Sequence, residues 1–309
     1  MSSRKVMLQS SIRHYVHLVL LLGSFLLPVA RARACAANEE AAFRTAPDLD
    51  RGFHLMYEQK FSEGRELFQA WRNCNPDDPL GPTAVAASFL FEEFYRQGVL
   101  SSEFFLDDKK FLRGIDGHPD SQRMRDFRQA REEAIRLAQK RLATAHEDPQ
   151  ALFALTLAAG MEADALSILE RKQLDSLHQI KESDILAKRL LAQRPDAADA
   201  WLALGAANYI VGSLPGTTRF LLWFGGIHGD RQLGMEQLGK TAASGRYLRP
   251  YAKIMLALAA RREKDDALAR KLLGELVKEY PSSPLFAAEN AKVASVPIRG
   301  GLPMREGSR

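Results

Sequence analysis

The 309-residue sequence predicts an all-α protein, an irregular α-solenoid of about five helix pairs with one short amphipathic helix inserted. Apolar residues recur at helical spacing among good helix formers, as in 123–145 (RMRDFRQAREEAIRLAQKRLATA). No alternating, β-branched run is long enough for a sheet. Prolines fall between the periodic segments, at Pro76, Pro79, Pro119, Pro149, Pro195, Pro215, Pro250 and Pro281, where each ends one helix or opens another.

At the N-terminus, Arg4, Lys5 and Arg13 precede an uncharged apolar stretch over 15–30 (YVHLVLLLGSFLLPVA), and Ala32-Arg33-Ala34 follows. That order predicts a signal peptide over 1–34 and an exported protein, periplasmic or secreted. The alternative is an anchor at the N-terminus or a lipid on Cys35; Arg33 within the segment before Cys35 departs from a lipobox. The leader holds five of the 43 basic residues and no acidic one, leaving 38 basic against 38 acidic side chains. A neutral mature chain gives no electrostatic reason to expect nucleic acid or anionic lipid as a partner. In an oxidising compartment the two cysteines, Cys35 and Cys74, would pair, closing a loop of about 40 residues and contributing ~3–4 kcal/mol.

The helical region spans 35–295, and the aperiodic segment 296–309 (VPIRGGLPMREGSR) is expected to be a disordered tail. Gly52, Gly64, Phe68 and Pro76 stand at the same relative spacing as Ala257, Ala269, Leu273 and Pro281. Two small residues twelve apart let the backbones of a helix hairpin approach; a bulky residue one turn on seals it, and proline ends the second helix. The pattern resembles the tetratricopeptide repeat, and Trp201, Leu204 and Gly205 in DAWLALGAANY occupy the W-x-x-L-G positions of its first helix. Between 80 and 195 the pattern is less regular: a helix over 80–98, a loop with a short helix, and then four or five further helices.

From Gly205 the next suitable small position is Gly234, with Leu238 one turn later, so about 17 extra residues separate the two helices of this pair. The insert, 213–228, contains Phe220-Leu221-Leu222-Trp223-Phe224; a short amphipathic helix over 217–224 is expected, with Asp230 capping the helix that follows. The residues SLP at 213–215 and FGGIHGDRQLGMEQL at 224–238, with Gly226, Gly229, Asp230, Arg231, Gly234 and Leu238 in matching positions, resemble the tetratricopeptide repeat protein 39 family over 198–286. The resemblance implies a helical-repeat architecture without enzymatic activity.

No G-x-x-x-x-G-K-[ST], H-E-x-x-H, G-x-S-x-G or C-x-x-C occurs, and the histidines outside the leader are scattered. No metal or cofactor is expected, and no catalytic residue. Glu92 and Glu93 read as a structural ion pair with Arg96, and Asp107 and Asp108 as a weak cation site at most. The expected function is therefore a scaffold that binds a protein or peptide partner on its concave face. Leu202, Tyr209, Arg219 and Trp223 are the candidate contacts, with Ala206, Arg51 and Leu55 beside them. The alternative is an envelope- or lipid-associated factor using insert 213–228, although that run is too short to span a membrane.

Overall fold

The computed structural model describes residues 46–214, 216, 219 and 228–295. The chain divides into two compact units, residues 1–47 and 48–309. Of the first, only Ala46 and Pro47 are described. The expected signal peptide, Cys35, Trp223 with most of the insert, and the 296–309 tail lie outside the described residues.

Among the described residues there are thirteen α-helices and no strand. They are α1 (Pro47–Tyr57), α2 (Phe61–Cys74), α3 (Leu80–Arg96), α4 (Ser102–Leu106), α5 (Asp108–Arg113), α6 (Ser121–Thr144), α7 (Pro149–Asp164), α8 (Gln173–Gln193), α9 (Trp201–Ser213), α10 (Arg231–Ser244), α11 (Arg249–Arg262), α12 (Asp266–Glu279) and α13 (Pro284–Ala294). A π-helical turn, Ala165–Leu169, continues α7, and a 3₁₀ turn, Ala198–Ala200, precedes α9.

Local chemistry sets the boundaries. Asp120, Asp148, Asp230, Asp265 and Ser283 each accept a hydrogen bond from the backbone N–H three residues on, satisfying a donor the first helical turn leaves open. Pro149, Pro250 and Pro284 occupy first turns, where no N–H is needed. Four helices end alike. Asn75, Ala145, Arg194 and Tyr280 leave the helical region and then accept a hydrogen bond from the N–H three residues further on. Proline follows three of these four residues, and its ring excludes the helical conformation from the residue before it.

The α1–α2 and α11–α12 hairpins also turn alike. Gln59, seven residues after Gly52, and Lys264, seven after Ala257, both adopt left-handed backbone with φ near +60° (59° and 63°). Each turn is closed by a hydrogen bond spanning five residues, Lys60 N to Leu55 O and Asp265 N to Ala260 O.

Successive long helices pack in chain order, α2 on α3, α3 on α6, and so on to α12 on α13. In α9–α10 the contact is close. A methyl group on Gly234 would lie 2.5 Å from Tyr209 N, and one on Gly205 would lie 2.8 Å from Leu238 N. Gly234→Ala is therefore expected to push these helices apart and cost about 1–3 kcal/mol. Urea denaturation measures it, and an unchanged midpoint would contradict the packing. Ser183 and Ser176 bring α8 onto α7 by donating to Thr156 O and Ala163 O, each at 2.9 Å. The segment Pro149–Leu169 is long and apolar enough to cross a membrane (mean hydropathy 1.6), but most of it is buried within the fold.

The order of packing does not leave the two ends of the second unit apart. Asp50 on α1 forms a two-pronged ion pair with Arg246, both contacts at 2.8 Å. The Tyr57 hydroxyl donates to Tyr247 O at 2.8 Å, and Ser283 Oγ donates to Gln59 Oε1 at 2.9 Å. Rings of Phe53 and Tyr247, His54 and Tyr280, and Tyr57 and Tyr280 stack with centroids 4.7–5.5 Å apart. Helix α1 is thus held against α11, α12 and the start of α13.

Candidate binding site

Tyr57, Phe91, Asp164 and Tyr251 come from four helices distant in sequence and act on one another through Tyr251. Tyr57 comes from the end of α1, Phe91 from the middle of α3, Asp164 from the end of α7 and Tyr251 from the first turn of α11. Phe91 and Tyr251 meet edge to face, at 90° with centroids 5.5 Å apart. Burial raises the pKa of the Tyr251 phenol, and the Asp164 carboxyl raises it further, so the two side chains sense one another. The Tyr57 phenol is also raised, by burial first and then by Tyr280, Asp199 and Tyr251.

Asp164 is the unusual member. Burial alone pushes its carboxyl up to about 7, with no neighbouring charge or hydrogen bond opposing the shift. The side chain is only half-buried, as are Tyr57 and Tyr251.

A strap crosses from α11 and α13 to the π turn after α7. Helices α4 and α5 form it. Arg261 donates to Ser102 Oγ (2.8 Å), Arg262 donates to Phe105 O (2.7 Å) and pairs with Asp108, and Lys292 pairs with Glu103 (2.7 Å). Buried Glu289 accepts from Ser102 N. At the other end Ile115 N donates to Ile168 O at 3.0 Å and Arg171 donates to Ile115 O. Gly114 makes that junction possible: its φ is +76°, and a methyl group there would lie 2.5 Å from Ile168 O.

The residues singled out in the sequence fall in three places. Leu202 and Tyr209 are 8% and 6% exposed and pack in one core with Leu238, Ala252, Met255 and Leu256, so their side chains are taken up by neighbouring helices. Ala206 is half-buried against the same core, and Arg51 is exposed while Leu55 is half-buried. Arg219 is exposed and donates to Gly212 O at 3.2 Å, and Trp223 lies outside the described residues. Gly52 and Gly64 face each other, with Phe68 against Gly52; Ala257 and Ala269 share a core cluster; Trp201 carries Lys240 over its ring at 3.7 Å. Pro76 and Pro281 follow the ends of α2 and α12 by two residues, and Cys74 closes α2.

Two readings need correction. Glu92 and Glu93 do not pair with Arg96, which is exposed. Arg123 reaches both, at 3.3 and 2.7 Å, and Arg65 pairs with Glu92. Glu93 points into the fold, where only a cation from another helix can meet it. Asp107 and Asp108 are not a shared cation site either: Asp107 caps α5 by accepting from Lys109 N and Lys110 N, while Asp108 pairs with Arg262. Among the described residues no three His, Cys, Asp or Glu side chains are grouped so as to hold a metal.

Sequence reasoning missed Tyr57, Phe91, Asp164 and Tyr251. One signal was available: Asp164 and Glu162 are the only charged residues in 149–169, and a charge in so apolar a helix is costly unless it serves a purpose. No protein-family model and no curated protein matches this chain.

Proposed function

We propose that this chain is an exported, non-enzymatic helical-repeat protein of tetratricopeptide type that binds a peptide segment of a partner protein on its inner face. The recurring helix endings after α2, α6, α8 and α12 and the matching turns of the first and last hairpins support the repeat reading. The pairs are α1–α2, α3–α6, α7–α8, α9–α10 and α11–α12, with α13 closing the series and the strap inserted in the second pair. Pairing of Cys35 with Cys74 belongs to the same proposal.

The observation that carries the binding reading is the half-buried pair Phe91 and Tyr251, edge to face with centroids 5.5 Å apart and drawn from two helices far apart in sequence. Aromatic side chains offer large contact area with little conformational freedom to lose, which suits an anchor site. Selection of a displayed random dodecapeptide library against the full chain tests this. Enriched peptides should bind Tyr251→Ala at least tenfold more weakly, and bind a Leu174→Ser variant, altered at the most exposed leucine among the described residues (82%), as they bind the parent. Enrichment indifferent to Tyr251, or none at all, would sink the reading.

A further inference from the structure

We propose that the outer face of α8 docks an α-helix of a partner protein, one whose contacting stripe alternates aliphatic and acidic side chains. The surface is separate from Phe91 and Tyr251. Its ligand is a long helix, whereas a dodecapeptide is too short to hold one in water.

Among the described residues, two of the most exposed large apolar side chains stand on this one helix, Leu174 at 82% and Ile185 at 45%. Tyr95, Leu112 and Leu233, the others so exposed, stand singly on α3, α5 and α10. Leu174, His178, Lys181, Ile185, Lys188 and Ala192 are all exposed and recur at alternating steps of four and three. At about 3.6 residues per turn, that spacing keeps them within an arc of about 80° along about 27 Å of helix. The arc lies opposite Ser176, Ser183, Leu186, Ala187 and Leu190, which face α7 and α9. A surface helix with one buried side carries polar residues on the other, yet α8 has a second stripe with the heptad spacing of a helix–helix seam.

Charge decides the partner. Lys181 and Lys188 stand within the stripe, while Asp175, Glu182 and Asp184 lie outside it on its two flanks. Asp184 reaches Lys188 at 2.6 Å, but so exposed a pair holds weakly and leaves the ammonium open to a second carboxylate. A partner helix with acids on its seam meets both lysines, and aliphatic residues beside those acids cover Leu174 and Ile185. A second copy of α8 laid on this stripe would set lysine against lysine. An anionic bilayer would touch a wider surface than the seam, flanking acids included, and those acids would repel it.

The probe is an acetylated and amidated peptide of three copies of the heptad Leu-Ala-Gln-Glu-Ala-Ala-Gln, which sets leucine and glutamate on one seam. It is titrated at pH 7 and low salt into the full chain, beside a counterpart with lysine for every glutamate, and binding is read by fluorescence anisotropy. The glutamate peptide should bind about tenfold more tightly than the lysine peptide. Lys181→Glu combined with Lys188→Glu should invert that preference. Leu174→Ser combined with Ile185→Ser should weaken the glutamate peptide to a similar degree, with far-UV spectra unchanged because all four side chains are exposed. Binding of neither peptide, equal binding, or a preference that survives the lysine changes overturns the inference. Co-sedimentation with phosphatidylglycerol vesicles, or a dimer in light scattering, that the Leu174 and Ile185 changes abolish would give the stripe to lipid or to a second copy and overturn it as well. Tyr251→Ala should leave the glutamate peptide's affinity unchanged; a loss there would move its site to the inner face and away from α8.

Discussion

Asp164→Asn is expected to stabilise the protein at pH 8 and to leave its stability at pH 4 unchanged. The carboxyl has its pKa raised from an ordinary 3.8 to about 7 by burial. Between those values the folded chain holds a proton that the unfolded chain has released, so stability falls as pH rises from about 4 to about 7 and is level above. At about 1.4 kcal/mol per pKa unit, and allowing for the side chain's being only half-buried, the loss is on the order of 2–4 kcal/mol. Asparagine keeps the shape and removes the charge, so the variant should melt several degrees higher than the parent at pH 8. Thermal melts at the two pH values decide the matter. A variant that melts lower at pH 8, or shifts equally at both, would show that Asp164 is not held in the environment described.

The second large effect concerns another interior carboxyl, that of Glu93. Arg123→Met should cost about 3–5 kcal/mol at pH 7, because it leaves Glu93, which is fully buried, charged and short of its cation. Desolvation would raise the Glu93 pKa, but hydrogen bonds from Gln97, Arg123 and the N–H of Asp120 outweigh it and hold the group below its usual value. This contribution is present above the ordinary glutamate pKa and is lost as pH falls through the lowered one. Arg123→Met should therefore destabilise far less in acid than at neutrality. The double variant with Glu93→Gln should recover part of the loss, and urea midpoints that simply add would show that the two side chains are not coupled.

Much of the helical framework was legible because its determinants are local. Proline after Asn75, Arg194 and Tyr280, and aspartate at 120, 148, 230 and 265, act within a turn of where they stand. Small residues at 205 and 234 signalled a close hairpin even across an insertion. What lay beyond reading were partners chosen by distance in space. Periodicity marks Leu202 and Tyr209 as one apolar face of α9, but not that α10 and α11 cover it. Charge spacing offered Arg96 to Glu93 as a neighbour on the same helix, whereas the buried side of α3 is met by Arg123 from α6. The candidate site was missed for the same reason. Its four residues lie on four separate helices, and no spacing rule connects Tyr57 with Tyr251.

The clasp of α1 on α11 to α13 has a consequence for how the chain acquires its structure. A linear array of repeats can nucleate anywhere, grow unit by unit and tolerate trimming at either end, since each unit answers only to its neighbours. Here the Asp50–Arg246 and Tyr57–Tyr247 contacts join positions 196 and 190 residues apart, and a loop that long must close before either contact forms. Such distant pairing slows folding and makes unfolding more nearly all-or-none. Deleting α13 should loosen the first hairpin as well as the last, so the first and last described helices behave as a single seam.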